Sequence, residues 1–303
     1  MIPVRRLSLS LNKIFKNHIG RSLTSNAASA AVEKEGIVKK PEENTIVVSQ
    51  TGPITLIGIN RPTKKNCLDV ATAEQLSEAL DALENDENAL VGILHGIGGS
   101  FSSGFDLNEI ANSNDSDEGF PHFGPLCNRD SLSKKPLIAS ISGYAVDVGF
   151  ELALMCDHRI VEETALMGFL NRRLGIPIMC GGTVRLPAMI GYSRAMDMIM
   201  TGRTISADEA FNWGLANRLV PCGAALGQSI VAAQSLMKFP QKTLLADRTS
   251  LHYATFSCNQ IEEALQFEKD NASHLLMDDG VAGAKRFISE RAKERKKSCE
   301  VAA

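Results

Sequence analysis

The sequence is poor in aromatic residues and lacks any long hydrophobic run. Phenylalanine, tyrosine and tryptophan make up 5% of its 303 residues, although the hydrophobic content as a whole reaches 44%. No apolar run approaches the roughly 18 residues that a membrane-spanning helix needs, so we expect no membrane insertion. A chain of this length and hydrophobic content can bury a sizeable core.

Patterns typical of metal, nucleotide and nucleophilic sites are also missing. The seven cysteines are scattered, without a C-x-x-C pair, and no cysteine–histidine cluster has the spacing of a zinc site. The glycine-bearing turns match neither the G-x-G-x-x-G and P-loop motifs nor the G-x-S-x-G elbow. We therefore predict no metal, no separate cofactor, and free thiols in a reducing compartment.

Acidic residues are absent from the first 32 positions, which differ in composition from the rest of the chain. This segment is rich in serine and leucine and carries five basic residues: Arg5, Arg6, Lys13, Lys16 and Arg21. That composition is typical of a mitochondrial transit peptide; the alternative is a disordered basic tail. We predict that residues 1–32 are a transit peptide and that the protein acts in the mitochondrial matrix.

The charge of the remaining chain argues against nucleic-acid binding. Without the five basic residues of the first segment, 27 basic residues face 35 acidic ones, a net charge of −8. A body that negative has no general affinity for nucleic acid or for an anionic membrane. Nucleic acid is therefore not an expected partner.

Hydrophobic periodicity predicts an α/β body followed by helices. The predicted strands are residues 45–50, 54–59, 90–95, 137–141 and 158–161, with a hairpin turn at Thr51-Gly52. The predicted helices are 71–84, 150–156, a short one from about 106, and seven segments between 183 and 294. We expect a linker at 33–44, a catalytic core at 45–235 and a helical C-terminal region at 236–303.

Two glycine-bearing turns, at residues 100–106 and 143–151, each follow an apolar strand and open a helix. The start of a helix leaves backbone N–H groups unpaired and carries partial positive charge, which suits a developing anion. Two such N–H groups that converge would form an oxyanion hole. Such turns are also common packing features, so the turns alone leave both interpretations open.

These turns resemble motifs of the enoyl-CoA hydratase/isomerase, or crotonase, superfamily. The segment GYAVDVGFELALMCD at 143–157 is similar to the signature GxAxGGGxELxxxCD, and FSSGFDL at 101–107 is similar to the F-x-x-G-x-D loop. Asn60-Arg61-Pro62 with Asn66, the Gly181-Gly182-Thr183 segment and residues 202–215 continue in the expected order. The likeness spans about residues 45–290.

The resemblance implies a crotonase-type core of repeated ββα turns with a helical C-terminal trimerisation region, assembled as trimers or hexamers. It also implies an acyl-CoA thioester substrate whose carbonyl oxygen lies between the backbone amides of Phe105 and Val148. The CoA is then part of the substrate. Backbone donors do not depend on side-chain identity, so phenylalanine and valine at these positions are compatible with the hole.

Family hydratases use two glutamates, and only one of them has a counterpart here. The first matches Glu151, whose apolar neighbours are expected to raise its pKa towards a useful value. The position of the second falls on Asn171, whose amide cannot exchange a proton near neutral pH but can orient water. Losing one proton-transfer group typically costs roughly 10²–10⁴ in rate.

Three further side chains near these motifs have two interpretations each. Asp147 replaces a family glycine, and it is either a substitute carboxylate or, as we favour, a turn residue bonding its own backbone. Arg172 and Arg173 adjoin Asn171, and they either pair with an acidic acyl group or form a surface or intersubunit ion pair.

The phosphates of CoA need cations, and Lys64, Lys65, Lys285 and Arg286 are candidates. We also predict CoA contacts for the loop residues Phe105, Asp106, Leu107 and Asn108.

The leading hypothesis is an enoyl-CoA hydratase-like lyase with an enolate mechanism, carried by the Phe105 and Val148 amides, Glu151 and Asn171. An isomerase, or another reaction that needs one glutamate, is the first alternative. A non-catalytic CoA-binding or scaffold protein is the second.

Overall fold

The computed structural model describes residues 44–112, 126, 129, 132–281 and 283–289. The predicted transit peptide, all of the linker except Asn44, and most of the acidic loop near 112–122 lie outside this part. Within it, every helix is too short or too polar to cross a membrane.

The larger of two sheets has six strands in the order β1-β2-β3-β4-β6-β9. The β1–β2 pair is antiparallel, and the other neighbours are parallel. Its strands are β1 Ile46–Thr51, β2 Ile54–Ile59, β3 Val91–Gly96, β4 Leu137–Ile141, β6 His158–Glu162 and β9 Arg218–Val220. Strands β2, β3 and β4 are mostly apolar, as expected for strands of a sheet that is covered on both faces.

A smaller sheet has three short strands in the order β5-β7-β8. These are β5 Tyr144–Val146, β7 Leu166–Gly168 and β8 Thr204–Ser206. Successive strands such as β4 and β5, or β6 and β7, enter the larger and then the smaller sheet before the chain turns into a helix. This alternation gives the repeated ββα spiral that the resemblance implies.

The helices of the described part cover the sheets and then continue as a helical C-terminal region. They are α1 Val70–Asn85, α2 Leu107–Ala111, α3 Val148–Met155, α4 Gly182–Ile190, α5 Tyr192–Thr201, α6 Ala207–Asn212, α7 Ala225–Leu236, α8 Gln241–Phe256 and α9 Ile261–Ala272. Two 3₁₀-helices, Pro62–Lys64 and Leu170–Leu174, and a π-helical turn at Leu276–Gly280 complete the set.

The principal core lies between the sheets and helices α1, α3 and α4. Helix α3 is central to it, because seven of its eight residues, Val148 to Leu154, are buried. A helix that is apolar on all sides has to be enclosed. Phe150 of α3 packs against Phe169 with ring centroids 5.1 Å apart. The first turn of α3 is thereby fixed relative to the segment that follows β7.

The cysteines only partly meet the prediction of free thiols. Cys67, Cys156, Cys222 and Cys258 are free, whereas Cys180 is disulfide-bonded. The prediction is therefore wrong at Cys180, because spacing along the chain does not show which sulfur atoms meet in space.

Candidate active site

The two glycine-bearing turns lie side by side. Ser102 pairs with Ala145 in a parallel bridge, through hydrogen bonds from Ser102 N to Tyr144 O at 2.8 Å and from Val146 N to Ser102 O at 3.0 Å. A Cβ on Gly104 would lie 2.7 Å from the Cβ of Asp147, so the residues that directly precede Phe105 and Val148 are in contact. The segments that carry the two amides predicted to form the oxyanion hole are therefore adjacent.

The backbone at Phe105 is oriented by its other neighbour. Leu68 N donates to Gly104 O at 2.8 Å, and Asp106 N donates to Leu68 O at 2.7 Å. In a β-ladder, the residue between two such bonds points its own N–H to the opposite side. The N–H of Phe105 therefore points away from Leu68.

Val148 is the first residue of α3, so its N–H has no acceptor within the helix. Close packing next to Val148 explains why residue 149 is a glycine. A Cβ on Gly149 would lie 2.7 Å from both the Cβ and the carbonyl oxygen of Ser102. A larger residue at 149 would therefore push the two turns apart and separate the two amides.

Asn66 holds the glycine-bearing turn at residues 100–106 in place, a role that its motif position alone did not reveal. The residue is buried with a positive φ of 57°. Its Oδ1 accepts from Arg61 N at 2.8 Å, and its Nδ2 donates to the carbonyls of Ile97 at 3.0 Å and Ser100 at 2.6 Å. One side chain thus joins the Asn-Arg-Pro segment to the loop that carries Phe105.

Glu151 lies in the first turn of α3 and is 1% exposed. Its Oε2 accepts from the backbone amides of Cys180 at 2.7 Å and Gly182 at 2.8 Å. Its Oε1 is buried and has no hydrogen-bond partner within the described part of the chain. Burial raises the pKa of Glu151; the backbone amides and Arg185 oppose this shift without cancelling it. The raised pKa that the apolar neighbours predicted is confirmed.

Asn171 is also 1% exposed and lies in the 3₁₀-helix Leu170–Leu174. Its Nδ2 donates to Pro177 O at 3.4 Å. Its Oδ1 is buried and, among the described residues, has no hydrogen-bond partner. Asn171 N bonds to Asp147, which directly precedes α3. Glu151 lies in the first turn of the same helix. Asn171 and Glu151 are therefore both attached near the start of α3.

The interpretation of Asp147 as a turn residue that bonds its own backbone is wrong. Its side chain makes no capping hydrogen bond to α3. Instead, Oδ1 accepts from Asn171 N at 2.7 Å, 24 residues along the chain. Arg172 and Arg173 are exposed, and neither forms an ion pair within the part of the chain that the structure describes.

Two of the candidate CoA-binding lysines, Lys64 and Lys65, are exposed and lie beside the glycine-bearing turn at residues 100–106. Lys64 pairs with Asp106 at 3.0 Å while its side chain stays 51% exposed, and Lys65 lies 4.6 Å over the ring of Tyr144. Burial of Asp106 opposes ionisation, but hydrogen bonds from Lys64, Arg61 and the Asn108 amide lower its pKa to about 2. A charged Asp106 thus neutralises part of the local positive charge.

The other candidates are spread more widely. Leu107 and Asn108 begin α2 next to this edge and are exposed. Lys285 lies far along the chain, in the helical segment 283–289.

Two adjoining cavities lie behind the segment that holds Glu151. One of about 360 Å³ is lined partly by Cys180 and Gly181, and one of about 240 Å³ shares Arg185, His252 and Phe256 with it. Arg185 donates to Cys180 O at 2.8 Å. Among the described residues, no group of three or more histidine, cysteine or acidic side chains could hold a metal ion.

Comparison with known proteins decides the family. The family model described as enoyl-CoA hydratase/isomerase matches residues 49–297. The chain belongs to the enoyl-CoA hydratase/isomerase family. The crotonase-type fold predicted from the resemblance is therefore confirmed.

Individual members of the enoyl-CoA hydratase/isomerase family agree along most of their length. A probable enoyl-CoA hydratase of Rhizobium meliloti is 31% identical over 83% of this chain and 98% of its own. A carnitinyl-CoA dehydratase of Salmonella typhi is 32% identical over 81% of this chain and 95% of its own. The crystal structure of an enoyl-CoA hydratase from Bacillus anthracis is similar with a TM-score of 0.75 and 30% identity, and covers 81% of this chain and 96% of that one.

Proposed function

We propose that this protein is an enoyl-CoA hydratase-like lyase in which Glu151 is the only proton carrier. The observation that carries the proposal is the pair of buried, unpartnered acceptors, Glu151 Oε1 and Asn171 Oδ1. Buried polar atoms are rarely left without a partner, and such atoms call for an absent donor. In our proposal, one water molecule donates a hydrogen to each of these two oxygens.

One carboxylate is sufficient for the addition of water. Glu151 Oε1 takes a proton from the water as the water oxygen bonds to the β-carbon of the enoyl-CoA. The electron pair of the double bond moves onto the thioester oxygen, where the Phe105 and Val148 amides hold the enolate. Glu151 then returns the proton to the α-carbon and the carbonyl re-forms. In this mechanism Asn171 orients the water and exchanges no proton.

Double-bond isomerisation is the second candidate, favoured by the single glutamate. Glu151 would remove a proton from the α-carbon of a 3-enoyl-CoA, and the same enolate would form. Returning the proton to the γ-carbon would give the 2-enoyl isomer with no water consumed. In this reaction Asn171 has no required part.

The test is an assay of the purified full chain on crotonyl-CoA and on a 3-enoyl-CoA. We expect the wild type to hydrate crotonyl-CoA, and Glu151→Gln to lose roughly 10²–10⁴ in kcat because it cannot carry a proton. Glu163→Gln, the same change at an exposed carboxylate, is the control. A wild type active only on the 3-enoyl substrate would favour isomerisation.

Equal inactivity of wild type and Glu151→Gln on a broad panel of CoA thioesters would contradict catalysis. Calorimetric binding of acyl-CoA without turnover would then support the CoA-binding or scaffold alternative.

The remaining expectations belong to the same proposal. CoA is bound as part of the substrate, with Lys64, Lys65, Lys285 and the loop Phe105–Asn108 contacting it, and no separate cofactor is needed. Residues 1–32 act as a transit peptide that directs the chain to the mitochondrial matrix. The native N-terminus of protein isolated from mitochondria, determined by mass spectrometry, tests this localisation.

A further inference from the structure

Asp147 has a backbone conformation that aspartate adopts rarely. Its φ of 54° and ψ of −128° lie in a region that favours glycine. A non-glycine residue persists in such a conformation when its surroundings hold it there. The resemblance to the family places a glycine at this position, so the carboxylate is a departure that strains the backbone.

The contacts of the side chain show what holds it. Asp147 is 8% exposed, and its Oδ1 accepts from the Asn171 amide at 2.7 Å; burial raises the pKa of this carboxyl, and the Asn171 and Leu170 amides oppose the rise. These are the first two amides of the 3₁₀-helix Leu170–Leu174, whose own N-cap residue, Phe169, provides no side-chain acceptor. Asp147 therefore caps that helix from a different part of the chain.

The other side of the Asp147 carboxylate faces the glycine-bearing turn at residues 100–106. A Cβ on Gly104 would lie 2.7 Å from the Cβ of Asp147 and 2.9 Å from its Oδ2. Only glycine at 104 leaves room for this side chain. Asp147 is thus wedged between Gly104, which precedes Phe105, and the amide of Asn171, while it directly precedes Val148.

We propose that Asp147 is a positioning residue that locks the segment carrying Asn171 to the two turns carrying the Phe105 and Val148 amides. It acts through Asn171, whose backbone amide it binds next to the start of α3. This inference rests on the proposed function, since it concerns how the water-binding group is placed. The two departures from the family pattern, at 147 and 171, thereby act as one unit.

The test compares Asp147→Asn with Asp147→Ala. Asparagine keeps an acceptor oxygen for the Asn171 amide but cannot transfer a proton, so we expect kcat within about threefold of wild type. Alanine keeps the Cβ and the strained backbone but lacks the acceptor, so we expect kcat to fall roughly 10–100-fold with little change in KM, as for a misplaced catalytic group. Asp147→Gly, which relieves the positive φ, replaces Asp147→Ala if that variant does not fold.

Two further measurements separate positioning from other roles. In an Asn171→Ala background, Asp147→Ala should cost no further activity, because the two residues act as one unit. Hydrogen exchange at the Leu170 and Asn171 amides should quicken in Asp147→Ala and stay unchanged in Asp147→Asn.

Either of two results would overturn the proposal. One is full activity and unchanged exchange in Asp147→Ala. The other is an Asp147→Asn variant as inactive as Asp147→Ala with its amides still protected, which would assign the proton transfer to Asp147 itself. An inactive wild type would contradict the proposed function alone, because the exchange measurement still decides whether Asp147 holds the segment.

Discussion

Glu151 is buried, yet within the described residues only one of its two carboxylate oxygens is hydrogen-bonded. The bonded oxygen is fixed by two amides near the start of α4, so the side chain cannot turn away. The other oxygen is held in place without a partner. This combination makes the residue costly for stability and well placed for proton transfer.

The pH dependence of activity should reflect the environment of Glu151. Burial holds its pKa above the ordinary value of 4.5, and the proposed mechanism needs the ionised form to accept a proton from water. We therefore expect kcat/KM for crotonyl-CoA to rise with pH through a midpoint above 4.5. A profile flat down to pH 4.5 would contradict this assignment.

Glu151→Gln should also change the pH dependence of stability. A carboxyl group whose pKa is raised in the folded state binds more protons there than in the unfolded chain, so its contribution to stability falls as pH rises through that window. Glutamine does not titrate, so the variant lacks this dependence of stability on pH. The difference in Tm, variant minus wild type, should therefore increase from pH 4.5 to pH 7. A decrease would show that the ionised carboxylate stabilises the fold.

At the scale of the element, helix α3 is held at both ends by groups distant in sequence. Its first turn meets Asp147, Glu151 and their partners, and its last turn meets a buried arginine. Arg159 is 5% exposed and donates from Nε to Leu215 O at 2.6 Å and from one Nη to Cys156 O at 2.6 Å. A cation at the C-terminal end of a helix complements the helix dipole.

Replacing Arg159 with leucine should destabilise the fold. Several buried carbonyls would lose their donor, and such a loss costs about 3 kcal/mol. Denaturant unfolding measures the free energy, with Arg218→Leu, the same change at an exposed position of β9, as the control. Equal stability of the two variants would mean that the bonds to Arg159 contribute nothing.

Several elements could be predicted closely from sequence, but the shortest strands could not, and helix α8 (Gln241–Phe256) continues six residues beyond its predicted end at residue 250. Strand β4 and helices α1, α4 and α5 occur within a residue of their predicted bounds, since long apolar or periodic segments fix them. Strands β7, β8 and β9 have three residues each, too few to show a period.

The same limit applies to the site. Motif order located both turns and Glu151, but the bond between Asp147 and Asn171 depends on how the chain folds back. The Asp147 prediction was wrong because the partner lies beyond any local turn.

At the scale of the whole molecule, the C-terminal helices expose large apolar side chains. Leu251 of α8 is 71% exposed, Ile261 of α9 is 66% exposed and Leu276 is 65% exposed. Exposed apolar surface of this kind is typical of protein–protein contacts. It supports our expectation, drawn from the family resemblance, of a trimer or hexamer.

Light scattering after gel filtration should give the mass of a trimer or hexamer. Charges at Ile261 and Leu265 (Ile261→Glu with Leu265→Glu) should lower that mass by disrupting the apolar contact. Glu262→Gln on the same helix is the control and should leave the mass unchanged. A monomeric wild type at micromolar concentration would contradict the assembly.

The central claim is that two main-chain amides from separate turns polarise one thioester carbonyl beside Glu151. Infrared difference spectroscopy of bound butyryl-CoA, labelled with ¹³C at the carbonyl, measures this directly, because the saturated thioester does not react. Two hydrogen bonds should move the carbonyl stretch to lower frequency than in water, in wild type and in Glu151→Gln alike. A carbonyl band at the solution frequency in fully bound ligand would contradict the account.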